Sequence, residues 1–180
     1  YIFWLSMTAA LYTVAVAVSN LLIPIFINLG PLGMLSAGSL TFGLTFTLRD
    51  IAHQTSARAG LGRTPIFLMI AVAAVVNVIV AAMIGTPSRF LIASFGAILL
   101  SEGVDTEIYH RLRQRTWLMR VFSSNAVSVP LDSITFTVVA FAGEPGYDAA
   151  LMLQIIEADL LFKFGIGALI ALGKNWWDRA

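Results

Sequence analysis

Residues 90–109 read FLIASFGAILLSEGVDTEIY, a stretch apolar enough to enter a lipid bilayer that nonetheless carries Glu102 and Asp105. A charge held in hydrocarbon costs about 3 kcal/mol or more on insertion scales, so such residues persist where they serve a polar interior. Asp132 and Lys163 stand inside two further apolar runs, 117–142 and 149–172. Together these four describe a small membrane protein whose helices enclose a polar site.

The whole chain fits that reading. It has 180 residues, 58% hydrophobic and 12% charged, with a mean hydropathy of +0.86, outside the range of ordinary soluble domains. A spanning helix needs about 20 mainly apolar residues. Six segments qualify: Ile2–Ile27, Leu32–Leu48, Pro65–Ile84, Phe90–Tyr109, Trp117–Ala142 and Ala149–Leu172. The breaks at 28–31, 60–62, 85–88 and 143–146 carry the Gly and Pro that end helices. The expected fold is therefore all-α, a bundle of six transmembrane helices forming one membrane domain over residues 1–180. The opening run is too long, and too polar at Ser19-Asn20, for a cleaved signal peptide. It reads as a mature spanning helix, with further residues expected before Tyr1.

The longest polar connection, Arg49 to Thr64, is too short to fold into a nucleotide-binding or catalytic domain. Any motor would have to be a partner. Placing the N-terminus in the cytoplasm puts Arg49, Arg58, Arg63, Arg111, Arg113, Arg115, Arg120, Lys174 and Arg179 on the inner side and leaves only Arg89 outside. That asymmetry follows the positive-inside rule, so both termini are expected in the cytoplasm. It also accounts for the basic run 111–120 without a nucleic-acid partner. Trp117, Trp176 and Trp177 fall at expected inner interfaces, where indoles anchor helices.

With about 1.5 Å of rise per residue, Asn77, Glu102, Ser128, Asp132 and Lys163 share a depth roughly 12–18 Å from the cytoplasmic end. Asp105 and Asn125 lie lower; Asn20, Gln154 and Glu157 lie nearer the outer face. Glu102 and Asp105 are three apart and share a helical face, as do Asn125, Ser128 and Asp132. A polar trail of this kind suits a solute path, although a single Asn or Ser on such a face also serves helix–helix hydrogen bonding. Lys163 has two candidate partners, Asp159 one turn earlier and a midplane carboxylate across the bundle. The second span, interrupted by Gly33, Gly38, Gly43 and several Ser and Thr, reads as a discontinuous segment lining a cavity or as a close-packing face. Its Phe42 and Phe46, four apart, could stack on a planar ring or face lipid and core. Small-residue faces such as Gly167 with Ala171 permit close dimer contacts.

Other chemistry finds little support. No G-x-x-x-x-G-K-[ST] loop or G-x-S-x-G elbow occurs. His53 and His110, the two histidines, fall in expected cytoplasmic loops, and there is no cysteine, so neither a metal site nor a cofactor is expected. Paired carboxylates such as Glu102 and Asp105 can act as acid and base, but no nucleophile or metal partner accompanies them.

Several stretches carry a family likeness. Ser19-Asn20-Leu21-Leu22, residues 37–42 (AGSLTF), residues 45–50 (TFTLRD), residues 101–105 (SEGVD), Ser124-Asn125 and residues 131–136 (LDSITF) together resemble the vitamin uptake transporter family, whose better-known members carry queuosine precursors. The resemblance spans nearly the whole chain. It implies a six-helix importer of 7-cyano-7-deazaguanine or a related deazapurine in the bacterial cytoplasmic membrane. It also implies kinship with the substrate-binding components of energy-coupling-factor transporters. In one departure, Asp50 is followed four positions later by Gln54, where family members commonly carry an acidic residue.

A guanine-like edge offers two adjacent N–H donors, and a carboxylate matches them with two acceptors. Glu102 and Asp132 are the candidates for that clamp, with Asn125, Asn77 and Asn20 reading carbonyl or ring nitrogens and a Phe stacking. Asp105, Ser128 and Lys163 complete the candidate site. The first span lacks the A-x-x-x-A spacing expected, by resemblance, where an energising partner docks: Ala9 is followed by Thr13, Ala15 by Ser19 and Ala17 by Leu21. A solitary carrier is expected, the alternatives being a binding component that needs an ATPase partner and a membrane-embedded enzyme.

Overall fold

The computed structural model describes residues 1–177 and consists of six long helices with one short hairpin. The helices are α1 (Ile2–Leu22), α2 (Ala37–Arg58), α3 (Thr64–Met83), α4 (Ser88–Arg111), α5 (Trp117–Phe141) and α6 (Ala149–Trp177). Several of their ends follow from local chemistry. Pro24 lacks the N–H needed to continue α1, so that helix stops at Leu22, short of the Ile27 expected from hydropathy. Ser36 caps α2, its hydroxyl oxygen accepting from Gly38 N at 3.2 Å. Thr116 caps α5 in the same way through Met119 N. Pro65 sits in the first turn of α3, where a missing N–H costs nothing.

Between α1 and α2 the chain forms a hairpin, β1 (Phe26–Asn28) against β2 (Met34–Ser36), antiparallel with Ile27 opposite Leu35. A 3-10 turn over Gly30–Leu32 closes it, and Asn28 Oδ1 accepts from Gly30 N at 2.8 Å. Gly33, at φ 89°, presses against α6 so closely that a Cβ there would stand 2.7 Å from the Gln154 carbonyl oxygen. The expected irregularity of the second span is thus displaced. Residues 37–58 form one unbroken helix, and the break precedes it. The small residues within α2 serve packing: a Cβ on Gly38 would lie 2.3 Å from the Ser19 carbonyl oxygen of α1.

Neighbouring helices close a ring in the order α1, α2, α6, α5, α4, α3 and back to α1. Its surface is inverted relative to a soluble protein. Leu68, Met83, Ile92 and Leu169 stand exposed, whereas Arg49, Glu102 and Asp105 are wholly buried. An apolar surface of that extent belongs in lipid. Helices α1, α3 and α5 are long and apolar enough by composition to cross a membrane; α2, α4 and α6 are as long, but turn several charges into the ring. The protein is an all-α membrane protein.

Two expectations are corrected here. Arg49 and His53 are not in a cytoplasmic loop, because α2 continues to Arg58 and buries both. His53 stacks on Tyr109 of α4 with ring centroids 4.4 Å apart. Gly167 and Ala171 do not form a free dimer face: Ala171 is buried beside Tyr109 and Val121, and Gly167 meets the Asn125 amide. Arg179 and the side chains of Lys174 and Trp177 lie outside the described residues.

Gly38→Ala forces α1 and α2 apart and is expected to cost about 1–3 kcal/mol, read as a lowered melting temperature of the purified protein in detergent. Gly96→Ala, where a Cβ meets nothing within 4 Å, is the control and is expected to melt at or above the wild-type temperature. Equal melting of the two variants would contradict the close α1–α2 approach.

Candidate functional site

The ring's interior holds two polar clusters, one above the other. The first is built on Arg49, which α2 directs across the ring toward α4 and α5. Its Nη1 donates to Glu102 Oε2 at 2.7 Å, and its Nη2 lies 2.8 Å from Asp105 Oδ1 and donates to Asn125 Oδ1 at 3.1 Å. Asp50 stands 3.6 Å from Nη2, beyond hydrogen-bond reach. Ser128 donates to Asp105 Oδ1 at 2.8 Å, and the Phe46 ring lies 4.9 Å from the guanidinium carbon. The i, i+3 spacing of Glu102 and Asp105 makes this possible, since one face of α4 delivers both carboxylates to one planar fork.

The second cluster is built on Lys163 of α6. Its Nζ donates to Asp132 Oδ2 at 2.7 Å and also to Asp159 one turn earlier. Of the two partners considered for Lys163, it takes both. Ser133 donates to Asp159, and the Ser101 hydroxyl, which donates to Ala97 O at 2.7 Å, lies 3.4 Å from Asp132 Oδ1. The ammonium lies 5.2 Å from the centre of the Phe42 ring.

This second cluster forms one wall of a cleft. Asp132, Lys163, Phe42, Asn20, Ser94 and Phe136 line it, with Ser36 and Gly38 at the start of α2. Its void is about 380 Å³ when the open space out to its mouth is included, but the room for water inside it is about 40 Å³, well under the roughly 300–1,000 Å³ usual for small-molecule sites. Ser94 donates to Asn20 Oδ1 at 2.6 Å, and the Asn20 amide donates to Val16 O at 3.2 Å, which fixes the amide's orientation. Phe136 also packs, with Phe26 of the hairpin, Phe90 and Tyr147, around Phe141, so the aromatic cluster at the hairpin end adjoins the cleft.

Of the ten expected site residues, Asn20, Phe42, Asp132 and Lys163 line the cleft. Glu102, Asp105, Asn125, Ser128 and Phe46 gather instead around Arg49. The cleft therefore presents Asp132 without Glu102, whose carboxylate the guanidinium already holds. Asn77 of α3 is buried apart from the cleft lining, and neither of its amide atoms has a hydrogen-bond partner. Arg49 escaped the sequence reading because it ends an apolar run, where a basic residue ordinarily marks the membrane surface. The signal that could have found it is the spacing Arg49, Ala52, His53, Ser56, an i, i+3, i+4, i+7 face that is buried throughout.

Breaking a buried ion pair on one side typically costs about 3–5 kcal/mol. Arg49→Met, which strands Glu102 and Asp105, is expected to destabilise the purified protein by that order. Arg49→Lys, a single ammonium facing acceptors on two helices, should recover only part of the loss. Wild-type melting of the Met variant would remove Arg49 from its structural role.

Residues 36–172 match the family model described as "Putative vitamin uptake transporter". No curated protein and no solved structure matches the chain. The match takes in both polar clusters and all of the cleft wall except Ser19, Asn20 and Ile23. Covered over well more than half its length, the chain belongs to the vitamin uptake transporter family.

Proposed function

We propose that the protein imports a queuosine precursor, 7-cyano-7-deazaguanine or a related deazapurine, and binds it in the cleft beside Asp132 and Lys163. The observation that carries this reading is the adjacency of a carboxylate and an ammonium, 2.7 Å apart, on the wall of a cleft that also exposes Phe42 and Phe136. The pairing edge of a guanine-like ring presents an amino donor, a ring N–H donor and a carbonyl acceptor in a row. A carboxylate followed by an ammonium offers the complementary order of two acceptors and a donor. Asp132 would take the two N–H groups while Lys163, still held by Asp159, turns toward the carbonyl. Phe42 or Phe136 supplies a stacking face, and Asn20, fixed by Ser94, reads a ring nitrogen.

The family assignment and the inverted surface support a carrier embedded in lipid with a small-molecule substrate. In our reading all six helices span the bacterial cytoplasmic membrane with both termini inside, as the excess of Arg at the α2–α3 and α4–α5 turns favours. The hairpin end of the cleft then faces outward, where an importer collects solute. The protein is read as a solitary carrier rather than a component driven by an ATPase.

Charge-assisted hydrogen bonds contribute about 1.5–3 kcal/mol each, so Asp132→Asn is expected to weaken binding of labelled 7-cyano-7-deazaguanine by roughly 10- to 100-fold. Base–aromatic stacking is worth about 1–3 kcal/mol, and Phe42→Ala should weaken binding by at least about fivefold. Uptake into liposomes containing only the purified protein checks both, together with the absence of a partner. Wild-type uptake by Asp132→Asn rejects the proposed clamp, and strict dependence on an added ATPase rejects the solitary carrier.

A further inference from the structure

Among the described residues, five carboxylates, Asp50, Glu102, Asp105, Asp132 and Asp159, are buried with only two permanent cations, Arg49 and Lys163. Lys163 is shared between Asp132 and Asp159. Two of the three surplus negative charges fall on the Arg49 cluster and one on the Lys163 cluster, where Asp159 Oδ1 lacks a partner; the larger surplus, around Arg49, can be located atom by atom. Both oxygens of Asp50, 1% exposed, lack a hydrogen-bond partner, as do Asp105 Oδ2 and Glu102 Oε1. The buried Tyr12 hydroxyl of α1 lies beside Glu102. Stranded acceptors at this depth are costly, and intramembrane ionisable groups of this kind mark ion or proton pathways.

The geometry favours a proton over a metal cation. The guanidinium already occupies the centre of the cluster, 2.7 Å from Glu102 and 2.8 Å from Asp105, and would repel a second cation. No three acidic or imidazole groups among the described residues converge as a metal would require. A proton needs only one carboxyl oxygen, and once bound it becomes the donor that the stranded oxygens lack. We propose that Asp50, with Glu102 and Asp105, forms a proton-binding site that couples solute import to proton entry.

Every charged or titratable neighbour fits that role. From α2, Arg49 holds the site together, and His53, buried with an unpartnered Nε2, lies one turn beyond Asp50 toward the α2–α3 turn. From α4, the Tyr109 hydroxyl makes a long contact of 3.5 Å to the Asp50 carbonyl, and its ring lies between His53 and Arg120 of α5. Near the Tyr109 end, His110 of α4 adds a second imidazole. Toward the cleft, Ser101, the neighbour of Glu102, contacts Asp132. Solute that draws Asp132 away from Lys163 therefore changes the field at Glu102. The coupling rests on the importer reading of the cleft; the proton site does not.

Two measurements decide the matter. In the infrared spectrum of the purified protein at neutral pH, a carboxylic-acid carbonyl band is expected in the wild type and in Glu157→Gln, and is expected to weaken in Asp50→Asn. A wild-type spectrum without that band, or one unchanged in Asp50→Asn, overturns the proton site. In liposomes, an inside-alkaline pH gradient should drive accumulation of labelled 7-cyano-7-deazaguanine with acidification of a trapped dye, and a sodium gradient should not. Asp50→Asn should keep solute counterflow while accumulation falls to the level reached without a gradient. Wild-type counterflow without proton movement, or accumulation driven by sodium, overturns the coupling. Absent wild-type counterflow overturns the importer reading, and the infrared band then still decides the proton site.

Discussion

A guanidinium with no exposed surface organises this protein. Arg49 reaches from α2 to carboxylates of α4 and an amide of α5, helices that are not its neighbours around the ring. In lipid the hydrophobic effect does not press helices together, and association rests on packing and interhelical polar contacts. A planar fork that joins three helices at one depth therefore sets the register in which the others meet. The close contacts at Gly38 and Gly43 then let α2 approach α1 and α6. The face of α4 that serves Arg49 also turns Ser101 toward Asp132, so the two polar clusters share one helix.

The interior is stratified as a result. The Arg49 layer is closed, its groups engaged with one another or stranded, whereas the Lys163 layer opens into a cleft under the hairpin. This division separates two kinds of work within one bundle. An open pair of opposite charges can exchange its internal partner for a ligand. The closed layer, rich in acceptors and short of donors, can take up positive charge. A polar interior that were all open would admit water through the membrane, and one that were all closed would bind nothing.

Much of this could be read from the residues themselves. Apolar length and Gly–Pro punctuation gave the six helices, because a membrane span has a minimum length and turns need particular backbone angles. The polar faces of α4 and α5 followed from spacing alone. Lys163 was known to have two candidate partners, and only the fold could show that α6 and α5 bring both within reach. Arg49 was hidden for a physical reason: an arginine after an apolar run ordinarily marks the membrane surface, and only tertiary burial distinguishes the exception. The hairpin was hidden because Ile25 to Ile27 and Met34-Leu35 are as apolar as the helices they adjoin, so that only Pro24 marks an end to α1 before the Gly–Pro break at 28–31. The pairing of Glu102 with Asp132 as a single clamp assumed that equal depth means contact, whereas Arg49 and Lys163 claim one carboxylate each.

The central claim, that the carboxylate–ammonium pair at the cleft wall reads a deazapurine edge, is tested most directly by a density map of the purified protein with 7-cyano-7-deazaguanine bound. The account predicts the ring in the cleft between Phe42 and Phe136, its two N–H donors on Asp132 and its carbonyl toward Lys163, with Arg49 still holding Glu102 and Asp105. A ligand bound against Glu102 with Arg49 displaced, or one seated outside the cleft while the Asp132–Lys163 pair stays intact, would contradict it.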